Sequence, residues 1–251
     1  MNTPIDEPQS PVGSVSADSV ASQWSMVRDR VAEASKKSGR SASQVTVVGI
    51  TKYVDWPTAT WLIDAGCVDL GESRPQSLWE KQSACNSIPL PDSKKIRWHF
   101  IGHLQRNKSA KTIANLSMLH SLDSTRLAQQ IERDAETLGI TVKALVEVNV
   151  SGEPNKTGIL DTELPMVLDD LANFSRIQVC GLMGMAGLQT TNARTDFAKL
   201  RCLRDDMVTR FGDRFQLDEL SMGMSGDFEA AIEEGSTMVR IGSLLFEPIG
   251  S

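Results

Sequence analysis

From residue 45 to residue 242 the chain alternates short apolar runs with longer stretches in which apolar side chains recur every three or four positions. The first run, Val45-Thr-Val-Val-Gly-Ile-Thr51, is β-branched and apolar on both alternations, as in a parallel strand buried on both faces. Further strands are predicted over 67–70, 96–101, 118–122, 142–150, 177–183, 218–222 and 238–242. Helices are predicted between them, over segments such as 124–138, 161–173 and 191–211. Eight such repeats fit an α/β fold closed as a parallel barrel, because an open sheet of that size would leave two edges to protect. Ahead of the strands, Trp24, Met26, Val27, Val31 and Ala34 recur at helical spacing up to Gly39, which is placed to stop the helix. Residues 1–20 are rich in Ser, Pro and acidic side chains and too poor in large apolar ones to offset the entropy of ordering. They are expected to form a mobile tail, and 21–251 a single domain.

Composition narrows the partners. The 251 residues are 40% apolar and 23% charged, an ordinary globular mixture. With 26 basic against 32 acidic side chains the net charge is −6, the pI is near 5.2, and no Lys/Arg-rich block is present. Attraction to a phosphate backbone is therefore not expected, and any bound anion must be small and locally held. Cys67, Cys85, Cys180 and Cys202 form no C-x-x-C pair, which indicates neither a zinc site nor a disulfide scaffold. No apolar run approaches the ~20 residues a bilayer needs, and the first 18 residues lack the basic-then-apolar order of a signal peptide. A soluble, reducing, cytoplasmic setting without membrane partners is the expectation.

In a parallel barrel the chemistry sits at the C-terminal ends of the strands. Lys52 ends the first strand run, where apolar surroundings favour the free amine that attacks an aldehyde to form a Schiff base. The plainer alternative is a lysine that reaches past a strand end to solvent. In the last segment, Ser225 is placed as a helix N-cap, and the Gly226 and Asp227 amides at a helix start offer an anion site. Gly242, in Val239-Arg-Ile-Gly-Ser243, lacks a side chain that would hold a ligand off the backbone. Loops after the seventh and eighth strands are the usual phosphate cradle of this architecture. Ser225 and Gly242 also read simply as a cap and a turn.

A Schiff-base lysine on the first strand and a phosphate cradle on the last two become neighbours when the barrel closes. An aldehyde of pyridoxal phosphate (PLP) size would join them. The chain resembles the pyridoxal phosphate homeostasis protein family, whose fold is similar to the barrel domain of alanine racemase. The resemblance rests on Val48-Gly-Ile-Thr-Lys52, Leu70-Gly-Glu-Ser73, Trp98-His-Phe-Ile-Gly-His-Leu-Gln-Arg-Asn-Lys108, Val148-Asn-Val-Ser-Gly-Glu-Pro-Asn-Lys-Thr-Gly158, Gly181-Leu-Met183, Ser221-Met-Gly-Met-Ser-Gly-Asp227 and Val239-Arg-Ile-Gly242. It implies a single (β/α)8 TIM barrel of PLP fold type III with an extra N-terminal helix. It further implies Lys52 as the Schiff-base lysine, Ser225 with the Gly242 and Ser243 amides as phosphate ligands, and Arg240 as neighbour of the pyridine nitrogen. An always-charged, donor-only arginine there leaves that nitrogen unprotonated and carbanion chemistry disfavoured. Two positions depart from the family pattern. Ser73 stands where Asn is usual after Gly-Glu, and Tyr53-Val-Asp follows the lysine where Thr-Lys-Pro is common.

Other residues are candidates for the mouth. His103 begins the loop there, with Asn107 and Lys108 near it, and Asn149 would point inward if the alternation of its strand holds. His99 reads as a buried, hydrogen-bonded strand histidine. Met183, Met185, Met222 and Met224 read as strand-end packing, with lining of the ring's face as the alternative. Racemisation at PLP needs bases on both faces of the ring. The single tyrosine, Tyr53, is expected to point away from the face that Lys52 occupies, and no segment after Ser251 is expected to supply another. The chain is therefore expected to be a monomeric PLP carrier with little turnover, with PLP-dependent apoenzymes as its recipients. The competing readings are a fold-type III racemase-like enzyme and a Schiff-base aldolase.

Overall fold

The computed structural model describes residues 15–87, 95–187 and 193–247. Helix α1 (Ala17–Lys37) starts at Ser16, whose side chain and that of Ser19 exchange bonds with each other's backbone amides. Ala17 to Val20 thus form a helical turn rather than the end of a tail, and Val20 is fully buried with Trp24, Val27, Val31 and Ala34 on one stripe. Residues 1–14 of the expected tail lie outside the described residues. Gly39, at φ +71°, takes the left-handed turn after the helix.

Eight parallel strands follow: β1 (Thr46–Ile50), β2 (Asp69–Glu72), β3 (Arg97–Phe100), β4 (Met118–Leu122), β5 (Val142–Glu147), β6 (Ile177–Met183), β7 (Glu219–Met224) and β8 (Met238–Ile241). They pair in sequence order, and β8 returns to β1 in register Gly49 to Ile241, closing the (β/α)8 barrel. The intervening helices are α2 (Trp56–Asp64), α3 (Pro75–Asn86), α4 (Ser109–Ile113), α5 (Thr125–Leu138), α6 (Leu164–Leu171), α7 (Ala193–Phe211), α8 (Phe228–Glu233) and α9 (Ser243–Phe246). Helix α1 packs on α2, α8 and α9, across the seam where the last strand meets the first.

The strand period of two divides the interior from the helix layer. Leu70, Leu119, Val146, Leu182, Leu220 and Val239 face outward into the large core that the helices share. Met118, Leu145, Met183 and Met238 form a separate, smaller apolar cluster inside the barrel. Strand β2 begins two residues later than the predicted 67–70 and runs on to Glu72, with Asp69 held at its start by Arg97 and His99. Gly181 lies beside Glu219 in the β6–β7 register, and a Cβ there would sit 1.8 Å from the Glu219 carbonyl oxygen. Gly181→Ala is expected to force these strands apart at a cost of about 2–3 kcal/mol, lowering the melting temperature by roughly 5–10 °C in a thermal scan. Among the described residues no helix is long and apolar enough to cross a membrane.

Candidate functional site

Strands β7, β8 and β1 are neighbours in the closed barrel, so their C-terminal ends share one side of the mouth. Lys52 follows β1 in a turn closed by the Val54 amide on the Thr51 carbonyl. The residue before it is clamped twice. Lys81 Nζ donates to the Thr51 carbonyl at 2.6 Å, and Thr51 Oγ1 donates to Glu72 Oε1 at 2.6 Å. Lys81 and Glu72 are themselves a buried ion pair at 2.6 Å. The Lys52 side chain is half-buried and forms no ion pair among the described residues; its Nζ lies 4.8 Å from the centre of the Tyr53 ring. Tyr53 therefore does not turn away from Lys52 as strand alternation predicts, because the ladder ends at Ile50 and both residues belong to the turn. The ring is 84% exposed.

Across the seam, the Ser225 hydroxyl is not a helix cap. Helix α8 starts at Phe228 after Asp227, and Ser225 Oγ instead accepts from the Gly242 and Leu244 amides at 3.3 and 3.5 Å. These bonds are at the long limit, so the two amides are readily turned to a stronger acceptor. The Asp227 amide is committed to the Met224 carbonyl, and Asp227 Oδ1 accepts from the Met224 amide, which removes Asp227 from the expected anion site. Gly226 and Ser243 are exposed, and a Cβ on Gly226 would meet nothing within 4 Å. At Gly242 a Cβ would lie 3.3 Å from that of Ile50, so packing against β1 also requires the small residue there.

Arg240 faces inward from β8 and is almost fully buried. Its Nη1 donates to the Ser221 carbonyl and Oγ, both at 2.7 Å, and Nη2 to the Gly184 carbonyl at 3.0 Å. Nε has no partner among the described residues. Burial lowers the guanidinium to about 10, against the pull of Glu147 and Asp227, so it stays charged at neutral pH. Glu147, at the inner end of β5, accepts from Thr157 Oγ1 at 2.5 Å, and burial pushes its carboxyl up from the usual range.

Three expected members of the site lie elsewhere. Met222 faces outward into the helix-side core, being one residue out of phase with the inward Ser221. The Asn149 amide is spent on its own loop: Nδ2 donates to the Glu153 and Lys156 carbonyls, and Oδ1 accepts from Ser151 Oγ and the Gly152 amide. Its strand ends at Glu147, so the alternation that would have pointed it inward has lapsed. His103 is exposed and bonds Asp123 Oδ2 at 2.7 Å, lining an open cavity of about 760 Å³ with Arg106, Asn107 and Arg126 on the β3–β4 side. Of the methionines, Met183 and Met185 pack in the inner cluster, while Met224 is exposed.

The profile of the alanine racemase N-terminal domain matches residues 63–248. A pyridoxal phosphate homeostasis protein from Aquifex aeolicus is 36% identical over 224 residues, 88% of this chain and 95% of that one. The chain belongs to the pyridoxal phosphate homeostasis protein family. Two solved structures similar to this family member superpose closely. One, an unknown protein from Bifidobacterium adolescentis, is 35% identical with a TM-score of 0.83, covering 92% of this chain and 95% of that one. The other is PipY of Synechococcus elongatus with PLP bound, 28% identical with a TM-score of 0.79, covering 91% and 100%.

The structure also brings in residues to which sequence reasoning gave no role: Glu72 and Ser221 within the family motifs, and Lys81, Glu147, Asp69 and His120 outside them. Each is a polar side chain inside an otherwise apolar strand or helix face, a signal that was visible one residue at a time but not as a set. His99 is buried and hydrogen-bonded, as expected. His120 lies beside it in a fully buried position where burial first, then its neighbours His99 and Arg240, hold it well below the usual imidazole range. The folded state therefore keeps His120 neutral while the unfolded chain protonates it below about pH 6.5, so acid favours unfolding. Stability to urea is expected to fall by roughly 1.4 kcal/mol per pH unit between pH 6 and 5 from this group. A His120→Gln variant with an equally steep decline would contradict the assignment.

Proposed function

We propose that this chain binds PLP as a Schiff base on Lys52 and serves intracellular PLP homeostasis, holding and passing on the cofactor with little turnover. The observation that carries the reading is the convergence, on the adjacent strands β7, β8 and β1, of a half-buried amine without an ion-pair partner among the described residues, a loosely engaged hydroxyl and amide cluster, and a buried, donor-only arginine. The residues fit the group. Ser225, Gly226 and the Gly242 and Ser243 amides would hold its phosphate, and Arg240 would face its ring nitrogen. When bound, PLP supplies an aldehyde with which a lysine amine condenses, releasing water. An arginine opposite the ring nitrogen gives it no proton, which weakens the ring as an electron sink and supports carriage over catalysis. The same reading takes the protein as a cytoplasmic monomer that hands PLP to apoenzymes. Its exposed large apolar side chains, among them Met26, Leu138 and Met166, are scattered along the chain.

Glu147 supports a second reading, a racemase-like enzyme, because a buried carboxyl with a raised pKa is suited to moving a proton. The α-protons of amino acids incubated with the PLP-loaded protein in deuterated water discriminate the two. Exchange indistinguishable from that with free PLP is expected, followed by NMR, and rapid stereospecific exchange would replace the carrier with an enzyme.

A further inference from the structure

One chain of hydrogen bonds crosses the barrel interior from the start of β2 to β8. Arg240 Nη1 donates to Ser221 Oγ at 2.7 Å, and Ser221 Oγ meets His120 Nδ1 at 2.8 Å. His120 Nε2 meets His99 Nδ1 at 2.9 Å, and His99 Nε2 meets Asp69 Oδ1 at 3.1 Å. Arg97 grips Asp69 from outside through Nε at 2.6 Å and Nη2 at 2.5 Å. Apart from Arg97, every member is buried.

With both histidines neutral, the two ends fix every proton between them. A guanidinium only donates and an ionised carboxylate only accepts. Ser221 therefore gives its single proton to His120 Nδ1. His120 then donates from Nε2 to His99 Nδ1, and His99 donates from Nε2 to Asp69. One tautomer of each histidine satisfies the chain. It is not a proton path, since the end at the mouth is a group that accepts no proton at neutral pH. A buried polar chain is also a poor source of stability compared with apolar filling of the same volume. What a fully satisfied network supplies is a fixed orientation.

The orientation concerns Arg240. Glu147 and Asp227 are close enough to act on its charge, yet neither forms an ion pair with it among the described residues. Its two Nη atoms are tied to neutral oxygens, and Nε has no bond among the described residues. Without Ser221 and His120, rotation toward either carboxylate would be favoured. We propose that Ser221, His120, His99 and Asp69 are positioning residues that aim Arg240 Nε at the ring nitrogen of PLP, making the site selective for a pyridine over its carbocyclic counterpart. This rests on the PLP-binding reading above and goes beyond it by naming what the site discriminates and how.

The test compares PLP with its 1-deaza analogue, in which a C–H replaces the ring nitrogen, by fluorescence titration of the full chain and borohydride trapping on Lys52. The wild type is expected to prefer PLP by about tenfold or more, the value of a hydrogen bond to a charged donor. Arg240→Leu should bring the ratio close to one. His120→Phe and Ser221→Ala should also lower it severalfold while both ligands are still trapped, and His120→Gln, which keeps one acceptor and one donor, should preserve it. General damage to the barrel would weaken both ligands alike and leave the ratio unmoved. Ser221→Ala removes only a hydroxyl and carries the test if the His120→Phe chain does not fold. A wild-type ratio in Ser221→Ala and His120→Phe, alongside its loss in Arg240→Leu, overturns the positioning role and leaves PLP binding intact. A wild type that traps neither ligand defeats the binding reading, and this one with it.

Discussion

Lys52→Ala is expected to fold normally and to lose its hold on PLP. The wild type incubated with PLP should absorb in the visible and, after borohydride reduction, yield a single peptide carrying the cofactor at residue 52; the variant should show neither. The amine joins the aldehyde covalently with loss of water, so removing it leaves only phosphate and ring contacts, which exchange during gel filtration. Folding should be spared because Lys52 has no ion pair among the described residues, and replacing such a side chain changes stability by no more than about 0.5 kcal/mol. A variant still yellow, with the adduct on another lysine, would move the site away from the β1 mouth.

Glu72→Ala is expected to be the most destabilising substitution near the site. It leaves the buried Lys81 charge without its carboxylate, and breaking such a pair from one side costs about 3–5 kcal/mol. In a chain of this size that corresponds to roughly 10 °C or more in melting temperature. The double variant Glu72→Leu with Lys81→Met removes both charges and should recover most of the loss. Its PLP affinity should remain lowered, because the Thr51 carbonyl and hydroxyl lose their clamps and Lys52 is no longer presented from a fixed turn. A single variant within 1 kcal/mol of wild type by urea denaturation would show that the pair is dispensable.

The periodicity of the chain carried the architecture further than it carried the site. Strands β4 and β6 run over the residues their apolar patterns predict, and β8 differs by one. Lys52, Ser225 and Gly242 stand out as candidates because each ends or follows a strand run, where a parallel barrel exposes its chemistry, whereas Arg240 enters only through the family resemblance. Asn149 and Tyr53 were misread for one shared reason: both lie just past a ladder end, where the alternation of a strand no longer governs direction. Met222 packs in the helix layer, one position out of phase with the inward Ser221, so that of its two readings the lining of the ring's face is the one the structure does not favour. The Asp69–His99–His120–Ser221 chain could not be read from spacing, since its members come from four strands and meet only when the cylinder closes.

The closure of β8 onto β1 has a consequence for synthesis. On the proposed reading the amine sits in the first βα unit, while the phosphate cradle and the arginine sit in the last two. A polypeptide emerging from the ribosome displays Lys52 long before residues 225–243 exist, and the two halves meet only through contacts that are among the most remote in the chain. On that reading, vitamin capture waits until translation has passed the eighth strand, and unfinished chains leave the free aldehyde pool untouched.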